Sequence, residues 1–342
     1  MSVKLATLVL ATADDTTGLE RQLADWGTKR IRRLALLYKV EGEYEDGSRE
    51  RARAAVFGVL ARHGLGGQAE MVTVVGCEGL STPFGHVLAD LDDGTATNGA
   101  RRLAIGVARG SPPADGDLDR ASFKSHVAAV VEAAMADAGL SGADVVTAIV
   151  NTPQPAIGDK GLRGRKARAV AALGAGIALG EIEAARVTDA SVLTDASLFT
   201  RRVQTFAGPT VKQIEAIVVG NRAGAGGDLV ACSAVTDDLT DMRPLKRMLT
   251  AAGLALDADG EIAARDRVVA MILKSGVPAD GKIHGLRTTL FTPGLPVEKH
   301  VRGAQSGLMA ALLGTTCAFT TFDPVQQCPV GGSAACAIVQ TG

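Results

Sequence analysis

Aromatic side chains are scarce in this chain of 342 residues: one Trp, two Tyr and eight Phe. Single-stranded nucleic acid is held largely by stacking on aromatic rings, so that class of partner loses its main support. Charge of one sign is also lacking, with 36 Lys and Arg against 37 Asp and Glu and no basic stripe. No nucleic-acid partner is expected from that balance. The densest basic stretch, Lys160 to Arg168, reads either as a solvated face or as part of a site. No apolar run reaches the length that crosses a bilayer, so no membrane partner is expected. The opening MSVKLATLVLATADD sets acidic residues directly after a short apolar run, which predicts a first β-strand rather than a signal peptide. The five cysteines, Cys77, Cys232, Cys317, Cys328 and Cys336, are odd in number and lack CxxC spacing. Zinc sites and disulfide frameworks are thereby disfavoured, and a cytoplasmic location is expected. The five histidines show no metal-ligand spacing. No cofactor and no metal is expected.

What remains is globular. Hydrophobic residues make up 46% of the chain, and with few rings among them the core must be built of Ala, Val and Leu. The 41 glycines and the alanine runs predict close approach of helices to strands.

A pattern recurs three times. Each repeat opens with an apolar strand that passes through a polar turn into an amphipathic helix ending at Gly27, Gly139 or Gly253. A second apolar strand follows: IRRLALLYKVEG, VVTAIVNTP and RVVAMILKSG. Next come a loop and an Ala-rich helix: SRERARAAVFGVLARHG, GRKARAVAALGAGIALGE and KHVRGAQSGLMAALLG. Two more strands close each repeat, MVTVVGCEG with HVLADLD, TRRVQTFAGP with IEAIVVGN, and CAFTTFDP with SAACAIVQ. The order strand, helix, strand, helix, strand, strand holds throughout, with little literal identity between repeats. This predicts an α/β protein of three similar units, residues 1–101, 102–227 and 228–342. Equivalent loops of three such units can converge on a pseudo-threefold axis and enclose one central pocket for a small flat ligand.

YKVEG followed by EDGSRERA resembles the first-unit signature of the cyanuric acid hydrolase and barbiturase family, the ring-opening amidohydrolases. GCEGLSTPF, RLAIGVA, ALGAGIALGEI, AGPTVKQIEAIVVGN, GDLVACSAVTDDLTD, AMILKSG and QQCPVGGSAACAI are similar to that family in the same order. The resemblance implies three like domains around one pocket, each offering a lysine, an arginine and a serine. One serine–lysine pair would attack a cyclic amide, and the chain would form a homo-oligomer, a dimer or a tetramer. Matched position by position, the lysines fall on Lys39, Asn151 and Lys274. The arginines fall on Arg49, Arg168 and Lys299, with Arg302 one helical turn beyond as a substitute. The serines fall on Val74, Phe206 and Thr321, so only Thr321 keeps a hydroxyl. The family's metal-holding glutamate, two residues past the third lysine, falls on Gly276, which removes the expectation of a metal.

The chemistry implied is coherent. A hydroxyl attacks an imide carbonyl only when a base removes its proton, and a buried lysine crowded by cations can be that base. Arginines can then hold carbonyl oxygens and the developing oxyanion. Each residue also has an ordinary reading. Lys39 and Lys274 close apolar strands, as a base or carbonyl donor, or as lysines reaching solvent. Arg49 and Arg168 are expected in first helical turns, where a cation opposes the helix dipole. Thr321 reads as nucleophile or as a strand threonine. Cys77 reads as a thiolate nucleophile or ligand contact, or, more commonly, as a small buried turn residue.

Three functions therefore stand: hydrolysis of a C–N bond in a small cyclic amide, imide or ureide other than cyanuric acid; a non-hydrolytic cyclisation, isomerisation or decarboxylation on the same scaffold; and ligand binding without turnover. Assay of ring opening separates the first, and unchanged bound ligand separates the third.

Overall fold

The computed structural model describes residues 1–342 apart from 44–45, 96–98, 156–159, 209 and 324. Three four-stranded sheets account for nearly all of the strand structure. The first contains β1 (Ser2–Val9), β2 (Ile31–Val40), β3 (Ala69–Val75) and β4 (Phe84–Leu91), with α1 (Thr17–Trp26) and α2 (Ser48–Arg62) between them. The second contains β5 (Arg101–Gly110), β6 (Val145–Pro153), β7 (Val203–Gly208) and β8 (Ile214–Ala223), with α3 (Phe123–Ala138) and α4 (Lys160–Ala178). The third begins with β9 (Leu229–Thr236), α5 (Arg243–Ala251) and β10 (Val268–Ser275). A small hairpin of β11 (Lys282–Ile283) and β12 (Leu286–Arg287) intervenes before α6 (Val297–Leu313), β13 (Phe319–Phe322) and β14 (Ser333–Gln340). Arg101, read from sequence as the close of the first repeat, opens β5.

The sheets share one topology: β1-β4-β2-β3, β5-β8-β6-β7 and β9-β14-β10-β13. In each, the second and third strands run parallel and every other pairing is antiparallel. Even an irregularity repeats, because the register slips at Ile31/Arg33, at Val145/Thr147 and at Val268/Ala270. A bulge kept at the same point of three sheets is a positioned feature of the unit.

Side-chain alternation divides the core into layers. On β2, Leu34, Leu36 and Tyr38 pack outward on α1 and α2, and Ala35 and Leu37 point the other way. Ala148 and Val150 on β6, and Met271 and Leu273 on β10, likewise face their own helices. The inward residues of all three sheets meet in a single cluster that joins Leu37, Ile149, Ile217, Ile272, Phe319 and Ile338. Three phenylalanines meet there: Phe319 contacts Phe84 and Phe206 edge to face, at 6.4 and 6.1 Å between centroids. Glycine sets the helix–sheet spacing at Gly106, where a Cβ would lie 2.0 Å from the Ala134 carbonyl oxygen of α3. The Ala-rich α4 buries Ala167, Ala169, Val170, Ala171, Ala172, Leu173 and Ala175, most of its circumference, as a helix enclosed on several sides must. No helix of the described residues is long and apolar enough to cross a membrane.

Candidate active site

The inner rows of β2, β6 and β10 end in polar residues. After Leu37 comes Lys39, after Ile149 comes Asn151, and after Ile272 comes Lys274. Each sits beside a defined position on the parallel neighbour: Lys39 opposite Val74, Asn151 opposite Phe206, Lys274 opposite Thr321. A cavity of about 590 Å³ opens at this end of the central core. Its lining draws on all three sheets and their helices: Arg49 and Val74 from the first, Arg168 and Phe206 from the second, Lys274 and Thr321 from the third.

Lys274 is 2% exposed, and its Nζ donates to the Thr205 carbonyl oxygen while lying 4.3 Å from the centroid of the Phe206 ring. Burial pushes the ammonium down to about 7, with the Arg168 guanidinium adding to the shift and Asp323 opposing it. Near neutral pH a large share of this side chain is therefore a free amine, able to take a proton. Arg168 pairs with Asp323, and Arg165 approaches the same carboxylate at 3.6 Å.

Lys39 is 1% exposed and donates to Thr320 twice, to the backbone oxygen at 2.8 Å and to Oγ1 at 2.7 Å. Burial lowers it to about 8, Arg302 adding, and Cys77 and Glu78 opposing. The Cys77 thiol itself is pushed up to about 11, mainly by burial. It is thus a thiol near neutral pH, which counts against the nucleophile reading of that residue.

The remaining sequence candidates are placed as follows. Arg49 lines the main cavity and also a neighbouring pocket of about 20 Å³, on which Asn151 borders. Asn151 turns away from the main cavity and donates from Nδ2 to Glu215 Oε2 at 3.0 Å. Glu215 is in turn paired with Arg53. Lys299 points outward to Glu43 at 2.7 Å. Arg302 takes the place in the cavity lining, held by Glu78 at 2.6 Å and the Val75 carbonyl at 3.3 Å. Arg168 corrects one expectation: α4 begins at Lys160, so Arg168 lies deep in the helix and its charge does not oppose the helix N-terminus. It reaches the cavity because it shares a helix face with Arg165, three residues before it. Thr321 lines the cavity, and its hydroxyl donates to the Leu273 carbonyl at 3.4 Å.

Sequence reasoning passed over Thr320, Thr205, Asp323 and Glu215. Strict alternation allows one of two adjacent threonines to face the site, and the family resemblance selected Thr321. The Thr320 N–H instead bonds the Ala318 carbonyl at 2.9 Å, a local turn that breaks the alternation and brings Thr320 to the cavity as well.

The metal implied by the resemblance has no matching donor set. Gly276 replaces the glutamate, and its N–H is bonded to the Gly332 carbonyl at 3.0 Å. Cys328 Sγ donates to that same oxygen at 3.3 Å, and the nearby Asp323 is taken by Arg168. A hard divalent cation prefers several carboxylate oxygens. Among the described residues no group of three or more His, Cys, Asp or Glu is placed to hold one.

Comparison with known proteins agrees with this architecture. The family model of the amidohydrolase ring-opening proteins matches residues 4–340. A cyanuric acid amidohydrolase of Methylobacterium sp. (strain 4-46) is 33% identical, over 96% of this chain and 94% of its own length. Barbiturase 1 of Nocardioides sp. (strain ATCC BAA-499 / JS614) is 27% identical, over 100% of this chain and 99% of its own. A solved cyanuric acid hydrolase, described as an evolutionary innovation by structural concatenation, superposes with a TM-score of 0.89. It is 24% identical and the match covers 99% of both chains, which establishes the fold in common.

Proposed function

This chain belongs to the ring-opening amidohydrolase family, and from that premise we propose that it hydrolyses a C–N bond of a small cyclic amide, imide or ureide. The observation that carries the proposal is the pair of buried lysines, Lys39 and Lys274, ending the inner rows around one cavity and both shifted toward the free amine. A lysine amine takes a proton from a hydroxyl or a water, and the oxygen so freed adds to a ring carbonyl. Collapse of the adduct expels the ring nitrogen, which recovers the proton. Lys274 or Lys39 serves as base, and Thr321 or water as nucleophile. Arg49, Arg168 and Arg302 supply the fixed positive charge that an oxyanion needs. A site that merely bound an anion would gain from lysines left fully charged, which favours turnover over binding alone.

The lining argues against cyanuric acid as substrate. Val74 and Phe206 stand where a ring with oxygen on every side needs donors, and each carbonyl left unpaired costs about 1–3 kcal/mol. A ring with a hydrocarbon edge fits these walls better. The test is incubation with a panel of cyclic imides and ureides, with ring opening followed by loss of ultraviolet absorbance. Turnover of at least one alkyl-edged ring ahead of cyanuric acid is expected. Absence of turnover across the panel overturns the proposal.

A further inference from the structure

We propose that the nucleophile is Thr320, activated by Lys39 from another sheet, so that the reacting pair is assembled across two units of the chain. The inference rests on the hydrolase reading above and names the residues that would perform it.

Four observations support it. Lys39 Nζ lies 2.7 Å from Thr320 Oγ1. Thr320 lines the cavity, and Lys39, which is not part of that lining, reaches its hydroxyl from outside it. The residue opposite Lys39 on its own sheet is Val74, which has no hydroxyl to offer. In the third sheet, by contrast, Lys274 Nζ donates to the Thr205 carbonyl and Thr321 Oγ1 to the Leu273 carbonyl, so the two side chains are not bonded to each other as Lys39 and Thr320 are.

The step balances as follows. Neutral Lys39 keeps two N–H bonds, one of which holds the Thr320 carbonyl, and its lone pair accepts the proton of Oγ1. The Oγ1 electron pair forms a bond to a ring carbonyl carbon, and the carbonyl π pair moves to its oxygen. That oxygen returns the pair, the C–N bond breaks, and the ring nitrogen takes the proton from the Lys39 ammonium. The product at this stage is an ester on Thr320. A water then loses a proton to Lys39, adds to the ester carbonyl and displaces Oγ1, which takes that proton back. One water is consumed and both side chains are restored.

The test uses the intact chain with phenylmethylsulfonyl fluoride, whose sulfur is attacked by activated hydroxyls with loss of fluoride. Peptide mapping by mass spectrometry is expected to find the sulfonyl group on Thr320. The rate of labelling should rise with pH through about 8, where Lys39 loses its proton among Cys77, Glu78 and Arg302. Thr320→Val and Lys39→Met should remove the label, and Thr320→Ser should retain it, which guards against misfolding as the explanation. Label on Thr321 in place of Thr320, no label at all, or label on Thr320 indifferent to Lys39 overturns the assignment.

The same variants, run on a ring that the wild type opens, should show a loss of at least about 100-fold for Thr320→Val and recovery in Thr320→Ser. Ring opening by Thr320→Val at the wild-type rate overturns the pair and leaves the hydrolase reading in place. Label on Thr320 without opening of any ring does the reverse.

Discussion

A lysine that is 2% exposed is held against its own solvation, and Lys274 carries the consequence. The folded chain releases that proton at about 7, against 10.5 for a free lysine. Between those values the unfolded chain binds more protons, so stability rises as pH climbs through the window, and below about 7 the whole penalty of charging is present. Lys274→Met is therefore expected to stabilise the protein at pH near 7, by the order of 1–4 kcal/mol. The gain should vanish by pH near 10.5, as followed by urea melts across the range. A destabilised variant at neutral pH would contradict the buried, partly neutral amine. Val74 yields a second expectation at this scale. Val74→Ser returns a hydroxyl to one wall, and it should raise kcat/KM for cyanuric acid about 5- to 100-fold, the span of one recovered hydrogen bond. No gain would mean that this wall does not set selectivity.

At the scale of elements, the bulged middle strand and its parallel neighbour form the device that each unit repeats. Close packing of α3 on β5 depends on Gly106, and the Cβ of Gly106→Ala would collide with the Ala134 backbone oxygen, an atom that cannot swing aside. A loss of about 1–3 kcal/mol or more is expected. Gly58, in α2, has nothing within 4 Å of such a Cβ, so Gly58→Ala should add about 0.5–1 kcal/mol instead. Denaturant midpoints of the two variants moving in the same direction would contradict this packing. These elements were largely legible in the sequence, since apolar runs and Ala-rich periodicity mark strands and helices locally. The lysine that closes an apolar run also marks itself. Arg168 was misplaced along its helix, because the glycines at 161 and 164 disguise where α4 starts. Asn151 is bonded to Glu215 on β8, a partner 64 residues away that only strand pairing brings close. Thr320 was hidden by a turn that breaks a two-residue period, and the β11–β12 hairpin by its two-residue strands.

The whole molecule joins three sheets of one topology around a shared core, and its polar end has lost the symmetry of its frame. Three equivalent positions now hold Lys39, Asn151 and Lys274, and their neighbours are Val74, Phe206 and Thr321. Only two of the three corners keep an amine, and two of the three neighbours are apolar. The substrate proposed above, a ring with a hydrocarbon edge, follows from this asymmetry, with Val74 and Phe206 on one side and the cations on the other. Activity should also rise with pH through about 8, as Lys39 loses its proton.

The central claim is that water opens a ring in the cavity where the three sheets meet. It is tested most directly by following product mass in heavy-oxygen water, with wild type and Lys39→Met side by side. The account expects a product heavier than the ring by one labelled water, formed at least about 100-fold more slowly by a variant that is folded and no less stable. Equal rates in the two proteins, or consumption of the ring without uptake of the label, would contradict it.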